Sequence, residues 1–343
     1  MVASFASVSL ALCSLIAAQR GLAAAVGSVD LGTCLTKAGI ENSVPTTSTW
    51  TMDTQPWNAR VNPVPSAVVF PKTEKEVSAA LKCAADAGVK VTTLGGNRSF
   101  SSMGFGRNDG ALIVNLKNIK VLKYDESTKL LTYGGPVMIS EAASLMWNDY
   151  KRTLPHGRCP DVGMTGIASS GFATLSRHSG TVLDNLSGPQ RRPTGQLHGL
   201  GTPLYSNTTY APNLPDSTAS GFIDVWGGEF AKTISSDTSA WKHDNNLLLV
   251  RYDLRSKVYN IPFADSSITT MRGNFYKFVD AYKAAGGTPG ALITYRDERW
   301  TIGETAKFLY GGGNFERLQK IKTEYDPNEM FNTDPQAIPA LST

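Results

Sequence analysis

Apolar positions in the first third of the chain follow two different periods. The continuous apolar run at residues 67–70 and the segment at residues 89–94, rich in β-branched side chains, predict strands. Thr73 and Glu76 form the Ser/Thr-x-x-Glu capping box that starts a helix, and Gly88 is a typical helix stop. Apolar side chains recur at helical spacing between these two signals, at Val77, Ala80, Leu81 and Ala84. The pattern therefore predicts a β-α-β unit.

Apolar runs and periodic positions predict the remaining elements in the same way. Further strands are expected at residues 111–116, 121–124, 129–133, 247–253 and 291–295, and those at 121–124 and 129–133 are expected to pair around the Asp125-Glu126-Ser127 turn. Further helices are expected at residues 31–38, 139–150, 274–285 and 317–325. This mixture of strands and helices places the chain in the α+β class. Residues 187–195 contain two prolines and no apolar period, which favours a linker.

Two loops rich in glycine and polar residues lie beside these elements. The first follows the strand at residues 89–94 and includes Gly95, Gly96, Asn97, Arg98, Ser99, Ser102, Met103 and Gly104. The second includes Cys159, Val162, Gly163, Gly166 and Ile167. Because glycine permits positive φ and close approach, such loops can present several backbone N–H groups to an anion. Two of them together predict a cofactor that carries a diphosphate.

Composition excludes several classes of partner. Hydrophobic residues make up 41% and charged residues 18% of 343 residues, which fits a globular protein with room for two domains. The net charge is only +4, and basic residues do not cluster beyond Arg191-Arg192, so no nucleic-acid partner is expected. The histidines show no metal-ligand spacing, so no metal is expected; they are His156, His178, His198 and His243.

The N-terminal segment determines how the cysteines are interpreted. Residues 1–25 are apolar and rich in small side chains, but Gln19-Arg20 interrupts them, so they are too short to span a bilayer. They predict a secretory signal peptide, with an N-terminal helix of the fold as the alternative. Cleavage would remove Cys13. Two of the three remaining cysteines should then pair in an oxidising compartment and leave one free: Cys34, Cys83 and Cys159.

A secreted chain also exposes its glycosylation acceptors. Asn207-Thr208-Thr209 and Asn185-Leu186-Ser187 match the Asn-x-Ser/Thr pattern. Asn97-Arg98-Ser99 matches it as well, but a glycan there would block the first loop. We expect modification at Asn207 alone.

Three sequence elements together resemble a known family. They are Gly-Gly-x-x-Ser-x-x-Ser-x-Gly from Gly95, Pro-His-Gly-x-Cys-Pro-x-Val-Gly-x-x-Gly from Pro155, and Thr-Val-Leu-Asp-Asn-Leu from Thr181. They resemble flavoprotein oxidases of the vanillyl-alcohol-oxidase type, in the berberine-bridge-like and oligosaccharide-oxidase branch. The resemblance covers about residues 50–186 and 291–338, and it implies that the cofactor is FAD.

The resemblance also implies a domain organisation. A two-part PCMH-type FAD-binding domain would occupy residues 45–186 and be completed by a C-terminal segment at residues 291–339. A reduced substrate domain and linker would lie between them at residues 187–290. This middle is shorter than the family pattern, through a natural deletion or a mis-assembled gene. The family commonly pairs the positions of Cys34 and Cys83 in a disulfide.

Cys159 and Arg98 are the residues that bear on cofactor attachment. In relatives a cysteine in this motif is bonded to the flavin, and Arg158 beside Cys159 would favour its thiolate. The alternative for Cys159 is a buried thiol that packs as a small hydrophobe. Relatives with a second link carry histidine at the position of Arg98. Arginine cannot form that bond, so the resemblance implies one covalent link; Arg98 could instead contact the phosphates.

Tyr295 and Asp253 are the catalytic candidates that the resemblance implies. Tyr295 would take the proton from a substrate hydroxyl, helped by Asp253, while hydride passes to the flavin and O2 then yields hydrogen peroxide. The alternative is two ordinary strand residues. The implied substrate is the anomeric hydroxyl of a sugar or oligosaccharide, and the protein is expected to be a secreted monomer that does not bind a membrane. Two other interpretations are an oxidase of a phenolic or alkaloid metabolite and an inactive remnant of a flavin domain.

Overall fold

A computed structural model describes most of the chain. The described residues are 29–154, 156–168, 213–225, 240–241, 248–259, 261–310 and 313–341. The predicted signal peptide, the element from Thr181, the linker at residues 187–195 and Asn207 lie outside them, so these predictions stay untested by the structure.

The described elements mix helices and strands in one chain order, as the α+β prediction requires. The helices are α1 (Leu31–Lys37), α2 (Trp50–Asp53), α3 (Glu74–Asp86), α4 (Ile139–Tyr150), α5 (Met164–Ala168), α6 (Asp265–Ala284), α7 (Ile302–Thr305) and α8 (Asn314–Tyr325). The strands are β1 (Asn42–Ser43), β2 (Ala67–Val69), β3 (Val91–Leu94), β4 (Leu112–Asn115), β5 (Leu122–Asp125), β6 (Leu130–Tyr133), β7 (Ser217–Val225) and β8 (Leu248–Ser256).

The predicted β-α-β unit is confirmed as β2-α3-β3. Thr73 is the N-cap of α3, and its hydroxyl accepts a hydrogen bond from the N–H of Glu76 at 3.2 Å. The Glu76 carboxylate accepts from the N–H of Lys72 at 2.9 Å, one residue earlier than a capping box requires. Gly88 follows the helix with φ of +67°, a conformation that strongly favours glycine.

The main sheet has the strand order β1-β2-β4-β3, with β2, β4 and β3 parallel and β1 antiparallel. Both of its faces are covered, because alternate side chains of the parallel strands pack into two different apolar clusters. One cluster lies under α1 and α3, which the predicted Cys34–Cys83 disulfide joins. This arrangement leaves the carboxyl ends of β3 and β4 at one edge of the sheet.

Two antiparallel pairs of strands account for the remaining described strands. The predicted turn at Asp125 joins β5 to β6. Its carboxylate accepts from the hydroxyl of Ser127 and from the N–H groups of Ser127 and Thr128, which lowers its pKa to about 2. The second pair joins β7 and β8, in a register that sets Phe222 opposite Arg251. Among the described helices, none has the length and apolar character needed to cross a membrane.

The strand predicted at residues 291–295 is wrong. Ile293–Tyr295 forms a short 3₁₀ helix, and the N–H of Tyr295 donates to the carbonyl of Leu292 at 2.9 Å. Leu292 is fully buried, so the apolar run reflects packing into the core and not a sheet. The chain then returns to the main sheet, where the N–H of Val91 donates to the carbonyl of Met330 at 2.8 Å.

Candidate functional site

The first glycine-rich loop begins where β3 ends, at the edge of the sheet where ligands of parallel sheets commonly bind. Asn97 and Ser102 adopt left-handed backbone conformations with φ of 49° and 50°. Among the described residues, the N–H groups of residues 96–100 have no hydrogen-bond acceptor. Such a run of unpaired donors is a cradle for an anion, and a diphosphate therefore fits this loop.

The second loop touches the first through two glycines. A Cβ atom built on Gly96 would lie 2.6 Å from Cα of Gly163, and one built on Gly163 would lie 2.8 Å from Cα of Gly96. A Cβ on Gly95 would lie 2.7 Å from the hydroxyl oxygen of Thr165. These glycines are therefore required for packing of one loop on the other, a role that the sequence motif did not reveal.

The other residues predicted to bind the cofactor lie around this contact at different depths. Ser102 is buried, and its hydroxyl accepts from the N–H of Asn58 at 3.1 Å. Ile167 is buried in the cluster that contains Leu292, whereas Met103 is 38% exposed. The remaining members are intermediate or exposed: Ser99, Gly104, Val162 and Gly166.

Cys159 is an exposed free cysteine, so the alternative of a buried thiol is wrong. Arg158 on one side of it forms an ion pair with Asp224 of β7. Asp161 on the other side forms an ion pair with Arg98 of the first loop. Arg158, which was predicted to favour the Cys159 thiolate, therefore pairs with a carboxylate of β7.

An aromatic row leads from the protein surface to Tyr295. The ring centroids of Trp57 and Phe100 lie 5.1 Å apart, and those of Phe100 and Tyr295 lie 5.4 Å apart. Phe222 of β7 lies on another side of Tyr295, with 6.4 Å between centroids. Trp57 and Phe100 are 43% and 40% exposed, whereas Tyr295 is half-buried, so the row forms an accessible apolar surface.

Arg251 lies among these rings and was not predicted from the sequence. Its guanidinium lies 4.1 Å from the ring centroid of Phe222, 4.8 Å from that of Tyr295 and 5.2 Å from that of Phe100. Two of its nitrogens contact one carboxylate oxygen of Asp253 at 2.6 and 3.0 Å. The one available signal was the Arg-x-Asp spacing, because residues two apart on a strand share a face.

Tyr295 is subject to opposing influences on its pKa. Burial raises the pKa of the phenol above its usual value, while the charge and hydrogen bonding of Arg251 lower it. The carboxylates of Asp253 and Asp224 act in the raising direction. Asp253 also contacts Arg251, which lies over the ring of Tyr295, so the two predicted catalytic residues lie in one cluster.

Within the described ranges no group of three or more His, Cys, Asp or Glu side chains is arranged to hold a metal ion. The ionic groups of the site are paired one to one: Arg98 with Asp161, Arg158 with Asp224, and Arg251 with Asp253.

Comparison with known families gives two matches along the chain. Residues 65–190 match the FAD binding domain, and residues 294–339 match the berberine and berberine-like segment. The first match contains both glycine-rich loops, and the second begins one residue before Tyr295.

Curated relatives include oligosaccharide oxidases. The chain is 32% identical to a chitooligosaccharide oxidase of Gibberella zeae over 169 residues, which are 49% of this chain and 34% of that protein. It is also 32% identical to a glucooligosaccharide oxidase of Sarocladium strictum over 160 residues, 46% of this chain and 32% of that protein. The aligned part therefore spans about a third of the length of these relatives.

Solved structures of the same group share the fold. Superposition on a chitooligosaccharide oxidase gives a TM-score of 0.74 at 17% identity, covering 91% of this chain and 100% of that one. A xylooligosaccharide oxidase from Myceliophthora thermophila C1, solved with xylobiose, gives 0.73 at 18% identity with the same coverage. The α+β fold of FAD-binding oxidases is thereby confirmed.

Proposed function

Because this chain matches the family models of an FAD binding domain and of a berberine-like C-terminal segment, we propose that it is an FAD-dependent oxidase of a neutral sugar or oligosaccharide. The observation that carries the proposal is the enclosure of Tyr295 by Arg251 and an aromatic row, next to an anion-binding loop. The substrate assignment draws on the relatives, which are named as oxidases of chito-, gluco- and xylooligosaccharides.

The two loops would hold the cofactor. Residues 96–100 would donate backbone N–H groups to its diphosphate, since these donors have no acceptor among the described residues. Arg98 already pairs with Asp161, so we assign it to loop packing in place of the phosphate contact expected from the sequence. When bound, FAD supplies a two-electron acceptor for hydride from the substrate carbon.

Tyr295 would act on the substrate hydroxyl. A neutral phenol is a poor base, and burial raises the pKa of Tyr295 and so disfavours its phenolate. Arg251 opposes this effect because its positive charge favours the phenolate. Asp253 would hold Arg251 over the ring through two contacts to one carboxylate oxygen. In this arrangement Tyr295 accepts the proton, Arg251 tunes its pKa and Asp253 positions Arg251.

The charge and surface of the site favour an uncharged substrate. Among the described residues, each of the three arginines of the site has an aspartate partner, so none of these three is left to attract a substrate carboxylate or phosphate. Trp57 and Phe100 offer exposed rings on which the apolar face of a sugar or an aromatic ring can stack. An oxidase of a phenolic or alkaloid metabolite is the second candidate, and the same two rings favour it.

We further propose that Cys159 carries the flavin through one covalent link. Its thiol is free and exposed, as attachment requires. The Sγ atom would form an S–C bond to the flavin ring in place of S–H and C–H bonds, and O2 would take up the two electrons and two protons as hydrogen peroxide. One solved glucooligosaccharide oxidase, from Acremonium strictum, has FAD with both a cysteinyl and a histidyl link. Because arginine stands at position 98, where doubly linked relatives carry histidine, we expect no second link at that position.

Secretion, glycosylation and domain organisation complete the proposal. The Cys34–Cys83 disulfide supports an oxidising compartment, and with it a signal peptide at residues 1–25 and a glycan on Asn207. The FAD domain would span residues 45–186 and be completed by residues 291–339, with the substrate domain and linker at residues 187–290. The contact of Val91 with Met330 supports this two-part domain. The protein would act as a monomer.

The test is peroxide production by the secreted protein in air-saturated buffer. Neutral oligosaccharides with a free reducing end should yield hydrogen peroxide, whereas the same sugars oxidised to aldonic acids should not. Turnover of phenolic alcohols alone would favour the second candidate. A protein that binds FAD but oxidises neither class would be the inactive remnant.

A further inference from the structure

We propose that Arg98 and Asp224 are positioning residues for the segment at residues 158–162, here called the Cys159 turn. They hold this turn from both sides. This inference rests on the proposed function of Cys159. The contacts that carry it come from three separate parts of the chain: the first loop, the second loop and strand β7.

The first side of the turn is held through Asp161. Its carboxylate pairs with the guanidinium of Arg98, which also lies over the ring of Trp57, 5.3 Å from the centroid. The Arg98 side chain is 34% exposed and that of Asp161 is 56% exposed. Arg98 therefore joins the second loop to the first loop and to the segment before β2.

The second side is held through Arg158. Its guanidinium pairs with Asp224, whose side chain is only 12% exposed, and lies 5.0 Å from the ring centroid of Phe222. Asp224 and Phe222 project from the same face of β7 because they are two residues apart. This ion pair joins the turn to the β7–β8 pair of strands, which also contains Arg251.

Two backbone hydrogen bonds also hold the segment around Cys159. The N–H of Ser140 donates to the carbonyl of Pro160, and the N–H of Ile139 donates to the carbonyl of Val162, both at 2.9 Å. These bonds anchor the turn to the start of α4, and Cys159 lies between the side-chain pairs. The turn is thus held through the neighbours of Cys159, while its own thiol stays exposed.

The test measures the turn directly by hydrogen exchange of the full-length protein. Arg98→Gln and Asp224→Asn should each raise amide exchange in residues 156–168 about threefold to fivefold, as expected for partly exposed ion pairs. The same increase should appear in the wild type at 1 M salt, where charges are screened within about 3 Å. Lys82→Gln removes the exposed Lys82–Asp86 pair of α3 and is the matched control, with no change expected in that segment.

The second measurement is the fraction of flavin that stays with acid-precipitated protein. Both variants should lower this fraction, and Arg98→Lys should restore most of it by keeping the charge. Unchanged exchange in both variants would overturn the proposal. Faster exchange with a full covalent fraction would overturn the positioning role. Wild-type protein without acid-stable flavin would instead contradict the link through Cys159, and the exchange data would still decide whether the ion pairs hold the turn.

Discussion

The guanidinium of Arg251 lies 4.8 Å from the ring centroid of Tyr295 while two of its nitrogens contact Asp253. A cation over a phenol ring, held there by a carboxylate, favours the phenolate relative to a buried tyrosine without a cation. The arrangement explains how a half-buried tyrosine could serve as a base.

Replacing Arg251 should move the pH dependence of the reaction. Burial already raises the pKa of Tyr295, and Arg251 lowers it, so Arg251→Gln should raise it further. Because the reaction needs the phenolate, the rising limb of kcat/KM against pH should move to higher pH. Arg251→Lys keeps the charge and is the control. An unshifted limb in Arg251→Gln would remove this residue from the mechanism.

Removing the hydroxyl of Tyr295 should separate binding from chemistry. Tyr295→Phe keeps the ring that contacts Phe100 and Phe222, so folding and flavin content should stay unchanged. Loss of a general base typically lowers kcat about 10²-fold to 10⁴-fold. Stopped-flow flavin reduction under anaerobic conditions measures this step. Reduction at the wild-type rate would show that another group takes the proton.

The contact between Gly96 and Gly163 makes a prediction about stability. An alanine at either position would place Cβ 2.6 to 2.8 Å from backbone atoms of the other loop, which cannot move aside as a flexible side chain would. Gly96→Ala and Gly163→Ala should each lower the free energy of unfolding by about 1–3 kcal/mol. Thermal or urea denaturation measures the change.

Gly166 supplies the control for these two variants. It lies in α5, and a Cβ built on it meets no atom within 4 Å among the described residues. Gly166→Ala should be neutral or stabilise the protein by up to about 1 kcal/mol, as replacing a helical glycine usually does. Equal destabilisation by all three variants would show that the loop contact is not the cause.

The disulfide between α1 and α3 should contribute strongly to stability. It closes a loop with a sequence separation of 49, for which the chain-entropy model gives about 4 kcal/mol. The double variant Cys34→Ser/Cys83→Ser should lose most of that stability in urea denaturation. Lys82→Gln changes only an exposed ion pair on the same helix and is the control, with little change expected. A double variant as stable as the wild type would contradict the structural role of this bond.

The sequence predicted elements that depend on local spacing. The β2-α3-β3 unit, the β5–β6 hairpin and α4 were confirmed because apolar period, caps and turn residues act within a few positions. The disulfide was confirmed on the strength of family resemblance. The strand predicted at residues 291–295 was wrong, because a buried apolar segment has the same composition whether it forms a strand or a short 3₁₀ helix.

The contacts within the site could not be predicted from local sequence patterns. Tyr295 and Asp253 lie in one cluster, but Arg251, which connects them, has no motif of its own. Its contacts come from Phe100 and Phe222, which are distant in sequence and meet only in the tertiary fold. The same holds for the glycine contact between the two loops.

The most direct test of FAD binding and of its covalent link is the absorbance spectrum of the purified secreted protein, recorded before and after acid precipitation. We expect flavin absorption in the native protein and a yellow pellet, because Cys159 would keep the flavin attached. Flavin released into the supernatant would retain FAD but remove the covalent link. A native protein without flavin absorption would contradict the central claim that this chain is an FAD-dependent oxidase.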